Sequence, residues 1–174
     1  MVNVKELRNK SVSEIIKILK REDVVRLDLV EVGRELKVFM MSNDFSTSPR
    51  IDGEKIICAF VTNEKGNSCI FYSTDLLEEK EFHTGRIMIT HALAKWIITG
   101  DDNFSITQSS SFSNREKTLL YELLMPERQV KEMVGQLRIP TTLSLAKIFD
   151  VSQEFVRERL DEMHIETLIV GYNY

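Results

Sequence analysis

Cysteine is scarce: of 174 residues only Cys58 and Cys69 carry thiols, and their spacing is not C-x-x-C. With no secretory context to support a disulfide, both are expected to be reduced and buried. Long apolar runs are absent. None approaches the roughly 20 residues needed to span a bilayer, which excludes a membrane-spanning helix. The opening M-V-N-V-K-E-L-R has no apolar stretch of signal-peptide type, so a cytoplasmic protein is expected. An excess of positive charge is also missing. The net charge is -4, with 23 Lys and Arg against 27 Asp and Glu, which argues against a protein whose main task is gripping phosphate backbones. No internal repeat or low-complexity segment occurs. What remains is ordinary for a soluble globular chain, 43% hydrophobic and 29% charged, enough for one domain with at most a small appendage.

Capping signals divide the chain. Ser11 and Glu14 form an S-x-x-E box ahead of Ile15, Ile16, Ile18 and Leu19, so a helix is expected over about 12–21. Asp28 and Glu31 repeat the pattern, and Leu29, Val32 and Leu36 give a second helical face. Val38 to Met41 suits a first strand, and Ser42 to Gly53 a loop. Lys55 to Thr62, the turn Asn63-Glu-Lys-Gly-Asn67 and Ser68 to Ser73 read as a β-hairpin, with Gly66 free to take positive φ. The polar stretch Asp101 to Asn114 reads as a loop. Ser113 or Asn114 then caps a helix bearing Leu119, Leu120, Leu123 and Leu124. Pro126 ends that helix and suits the first turn of the next. Thr141 or Thr142 opens L-S-L-A-K-I-F, and Ser152 caps a last helix with Val156, Leu160 and Met163 on its core face. The pair has a helix-turn-helix shape. Ile165 to Tyr174 either adds a strand or hangs free.

The centre of this order is R-I-M-I-T-H-A-L-A-K-W-I-I-T-G, Arg86 to Gly100, an apolar helix interrupted by His91 and Lys95. Residues four apart lie one above the other on a helix. A zinc protease places H-E-x-x-H in that frame. Here the frame reads His91-Ala92-Leu93-Ala94-Lys95. A single histidine on an apolar helix is more often a buried core residue than a relic of a metal site, so the remainder of the chain has to weigh in.

It does so through the order of its pieces: Asp28-Leu-Val-Glu-Val-Gly-Arg-Glu-Leu, the Asn63–Asn67 turn, the R-x-x-x-x-H helix, Leu123-Leu-Met-Pro-Glu127 and L-A-K-I-F-D-V-S-x-x-x-V-R-x-R-L. From about Val25 to His164 the chain resembles the ImmA/IrrE family of zinc metallopeptidases. The resemblance implies an α+β fold, with a zincin-like core of a small three-stranded sheet packed on helices and a C-terminal helical segment of helix-turn-helix type. It divides the chain into an N-terminal helical extension over 1–24, a metallopeptidase-like core over 25–126 and a C-terminal segment over 127–174. It also places Arg86 on the family's Arg, His91 on the first zinc ligand, Ala92 on the general-base glutamate and Lys95 on the second ligand. The third ligand falls on Arg115, or on Glu116 if the helix is offset by one.

The chemistry of those positions is unfavourable to zinc. A catalytic zinc takes three lone-pair donors and a water. An ammonium and a guanidinium offer none, and alanine cannot take a proton from that water. His83 and His164 lack ligand spacing to His91. No catalytic residue, metal ligand set or cofactor is expected, with zinc implied only if the motif is misread. Enzyme activity is not the expectation. The expected function is that of a catalytically inactive, regulatory protein-binding module. Its partner class would be the helix-turn-helix repressors of mobile elements or stress switches on which active members of the family act. Two alternatives are a DNA-binding regulator using the C-terminal helix pair and an active peptidase with a rearranged site that includes Glu116. DNA binding is disfavoured by Glu154, Glu158, Asp161 and Glu162 on the last helix. The charge count adds one expectation. Lys95 and Arg115 converge on a cleft with His91 and Glu116, balanced by Glu116, Glu122, Asp101 or Asp102, or else by a bound anion. The plain alternative is that both cations swing into solvent.

Overall fold

A computed structural model describes residues 4–48, 50–77 and 82–166. The expected strand or free tail at the C-terminus lies, beyond residue 166, outside the described residues. In chain order the elements are α1 (Val4–Leu7), α2 (Val12–Ile18), α3 (Leu29–Leu36), β1 (Val38–Asn43), β2 (Cys58–Thr62), β3 (Ser68–Ser73) and a 3₁₀ turn (Thr74–Leu77). Then follow α4 (Phe82–Thr99), β4 (Asn103–Ile106), α5 (Asn114–Leu124), α6 (Glu127–Gln136), α7 (Thr142–Phe149) and α8 (Gln153–Glu162). The class is α+β, with a mixed sheet of order β1-β3-β2-β4. β1 runs parallel to β3, while β2 is antiparallel to both β3 and β4.

The caps explain where the helices start. Ser11 accepts from Glu14 N–H and Glu14 answers to the Ser11 backbone. Ser113 and Glu116 do the same at α5, and Thr141 and Ser144 at α7. Asp28 caps α3 through the N–H groups of Val30 and Glu31, but Glu31 does not close a box. Its carboxylate instead takes the buried Arg21 guanidinium at 3.0 Å. Pro126 stands one position earlier than expected, as the N-cap of α6.

The sheet has four strands among the described residues, not three. Asn103–Ile106 was expected to be loop because aspartates and serines surround it. Its F-S-I alternation sends Phe104 and Ile106 inward, where Phe104 stacks on Phe60 at 5.4 Å and Ile106 is buried. β1 also runs on to Asn43, inside the stretch expected to be loop. One face of the sheet lies on α4, where Trp96 meets the Phe60 ring at 4.9 Å, as its apolar neighbours led us to expect. The middle of α4 is apolar nearly all round because it is enclosed there, with the sheet on one side and α5 on the other. A single buried cluster joins Leu7, Ile15 and Leu19 to Phe60 and Leu93, and these to Phe149, Val156 and Leu160.

α4 stops at Gly100, whose φ of +74° suits glycine and whose N–H still reaches Trp96 O at 2.9 Å. The Arg8 guanidinium lies against it. A Cβ on Gly100 would fall 2.0 Å from Arg8 Cζ, and Arg8 donates to Gly100 O at 3.3 Å. Gly100→Ala is expected to cost about 2 kcal/mol, from left-handed backbone strain and displacement of Arg8. Thermal melting checks it, and the Arg8→Ala background should relieve part of the loss.

Candidate functional site

His91 sits mid-way along α4 with 1% of its surface exposed. Among the described residues neither ring nitrogen has a hydrogen-bond partner. Its imidazole is covered by the Phe112 ring, with centroids 3.4 Å apart and planes 24° from parallel. Phe112 comes from the loop between β4 and α5, where the Ser113–Glu116 capping box fixes the start of the helix. Burial, with the Lys95 charge adding to it, lowers His91 to about 3, so the ring is neutral at ordinary pH.

The other expected positions are each occupied by local structure. Ala92 has no exposed surface, so a glutamate there would meet packed protein. Lys95 is half-buried and lays its ammonium over the Phe104 ring, 4.9 Å from the centroid. Arg115 is held by the N-terminal segment: its Nη2 donates to Arg8 O at 2.7 Å and to Lys10 O at 2.6 Å, just past the end of α1. Glu116 is buried and its Oε2 accepts from Ser113 N–H at 2.7 Å.

Lys95 and Arg115 thus each take a partner of their own, the Phe104 ring for one and the carbonyls of Arg8 and Lys10 for the other. Among the described residues they share no counterion. Glu122 holds Arg159, the Asp102 carboxylate accepts from Thr62 Oγ1 at 3.5 Å, and the backbone N–H of Asp101 bonds Thr99. Neither cation is free in solvent, since Lys95 lies over an aromatic face and Arg115 donates to two carbonyls. Among the described residues no group of three or more His, Cys, Asp or Glu side chains could hold a metal ion. His91 is the only lone-pair donor of the four motif positions, and its nitrogens face protein, so the residues present do not fit a zinc. The described residues also contain no helix long and apolar enough to cross a membrane.

No protein-family model, curated protein or solved structure matches the chain.

Two structural centres escaped the sequence reading. Arg86 donates through Nε to Asp150 O at 3.0 Å and through Nη2 to Leu27 O at 3.1 Å, and its guanidinium lies 3.5 Å from the Asp150 carboxylate. Arg26 reaches the same carboxylate at 3.0 Å. Asp150 is the left-handed residue that closes α7, so one half-buried arginine ties the helix-turn-helix corner to α4 and to the entry of α3. Arg159 does similar work on α8. It donates to Met125 O at 3.2 Å, pairs with Glu122 and Glu162, and lies 5.3 Å from the Tyr121 ring centroid. The F-D-V-S corner was visible as a turn, but nothing local marked which distant cation it would meet.

The solvent side of α8 is acidic. Glu154, Glu158, Asp161 and Glu162 are exposed, while Arg159 faces the core with 3% exposure.

Proposed function

We propose that this chain is a catalytically inactive relative of the ImmA/IrrE metallopeptidases, with a zincin-like core, that acts in regulation by binding another protein. The observation that carries the reading is the sealing of His91. The residue at the first ligand position packs against a phenyl ring, and the residue at the second ligand position is an ammonium over another. Such an arrangement stabilises a fold but supplies neither a Lewis acid nor a base for water. The partner class is a helix-turn-helix repressor of a mobile element or stress switch. A DNA-binding surface carries many Lys and Arg side chains, and the exposed acids of α8 suit that kind of partner better than they suit DNA itself. Direct DNA binding through α7 and α8 is the weaker reading for the same reason, because Arg159 is withdrawn into the core.

The test is a binding assay with a small repressor encoded beside this gene, read together with the intact mass of that repressor. Stable association without cleavage is expected. Elemental analysis after dialysis against zinc is expected to give well under one zinc per chain. A cleaved partner, or about one zinc per chain with EDTA lowering Tm, would overturn the reading.

A further inference from the structure

The sheet has two edge strands, β1 and β4, and among the described residues neither outer edge is paired. β4 has only four residues, so the longer edge is that of β1. That edge is six residues long, V-F-M-M-S-N, with no proline and no charge inside it. Natural edges are normally blunted by a lysine, a proline or a bulge, because a row of unpaired N–H and C=O groups is a template for another strand. Here the face away from the helices is also apolar: Phe39 is 65% and Met41 54% exposed. Register continues the row inward, with Phe39 beside Cys69 and Cys69 beside Val61.

The charges sit at the two ends. Exposed Arg34 and Lys37 stand before the strand, lining a groove with Val30 and Phe39, and among the described residues neither forms an ion pair. Asp44 stands just after it, its carboxylate held below the usual range by the Ser46 N–H and hydroxyl, so it is ionised. A strand basic at its start and acidic at its end is complementary to itself when reversed.

We propose that β1 is a homodimer edge, on which a second copy of this chain pairs its own β1 antiparallel. A two-fold axis perpendicular to the sheet near Met40 pairs residues of equal parity. It therefore keeps both helix-covered faces on the same side. It places Phe39 of one copy beside Met41 of the other on the open face, where sulfur and ring make favourable contact. It also sets Lys37 of each copy opposite Asn43 of its mate, with Asp44 the next residue along just past the strand end, and it separates like charges to opposite ends. Two four-stranded sheets become one of eight strands, and neither copy keeps an open β1 edge.

Sedimentation equilibrium over a range of concentrations tests this, with the monomer at 20.2 kDa. The wild-type chain is expected at about twice that mass in the tens-of-micromolar range. Phe39→Lys and Met41→Lys change exposed positions, so circular dichroism should be unaltered while the dimer dissociates. Lys37→Glu and Asp44→Lys should each weaken the dimer about 5- to 10-fold, since every substitution appears at two symmetric contacts. Combining those two charge reversals should recover most of the loss, because each contact then regains one acid and one base with their places exchanged. A monomer at every concentration, whether the edge stays open or accepts an extended peptide, overturns the proposal. So does a dimer that survives both Phe39→Lys and Met41→Lys.

Discussion

Arg86→Ala is expected to lower the free energy of unfolding by about 3 kcal/mol, seen as a lower urea midpoint at an unchanged m-value. The wild-type guanidinium has 11% of its side chain exposed and serves three acceptors from two distant segments: Leu27 O, Asp150 O and the Asp150 carboxylate. Alanine leaves two carbonyls and a largely buried carboxylate short of a donor. The expected value lies at the low end for a broken buried pair because Arg26 still reaches Asp150 from the solvent side. Arg86→Lys should recover only a minor part, since one ammonium cannot spread its donors as the planar fork does. In a cycle with Asp150→Asn, coupling of at least about 1 kcal/mol is expected. Additive losses would show that Arg86 works through the carbonyls alone. A loss below about 1 kcal/mol for Arg86→Ala would mean that water replaces it, and that the corner is not held as described.

His91→Leu is expected to change how stability depends on pH. The folded protein holds the imidazole neutral, with its pKa lowered to about 3 from the ordinary 6.5, through burial first and the Lys95 charge second. Below pH 6.5 the unfolded chain takes up a proton that the folded chain refuses. The contribution from this group is therefore full above pH 6.5 and is lost progressively as pH falls toward 3. Between pH 7 and pH 5 the loss comes to about 2 kcal/mol. Leucine removes it. At pH 7.5 the variant should equal the wild type or exceed it by up to about 1 kcal/mol, because two unpartnered ring nitrogens leave the core. Several carboxylates held below their usual range by hydrogen bonds, such as Glu14 and Glu54, also destabilise the fold in acid, but they act equally in both proteins. Urea titrations at pH 7.5, 6.0 and 5.0 decide the matter. Parallel curves for the two proteins would show that His91 is protonated, or solvated, in the native state.

These two residues also mark how far local reading reaches. Helix starts were legible because a cap is a contact between residues three apart: Ser11 with Glu14, Ser113 with Glu116, Ser152 with the N–H of Phe155. The hairpin was legible because Asn63 to Asn67 carries its own turn chemistry, the Asn63 side chain accepting from Lys65 and Asn67 N–H. β4 was missed because its strand character depends on β2 lying beside it, and four residues carry too little pattern to declare that.

At the candidate site the division is sharper. That His91, Ala92 and Lys95 share one helix, and that three of the four motif positions carry no lone pair suited to zinc, follows from residue identity alone. That Phe112 roofs the imidazole, that Phe104 receives the Lys95 ammonium, and that Arg115 is drawn to the carbonyls of Arg8 and Lys10 could not be read there. The last of these spans more than a hundred residues of sequence. A charge count says how many counterions are needed, but which partner each cation takes depends on distance and desolvation. Those are set only when the sheet, α4, α5 and the N-terminal helices close around one core.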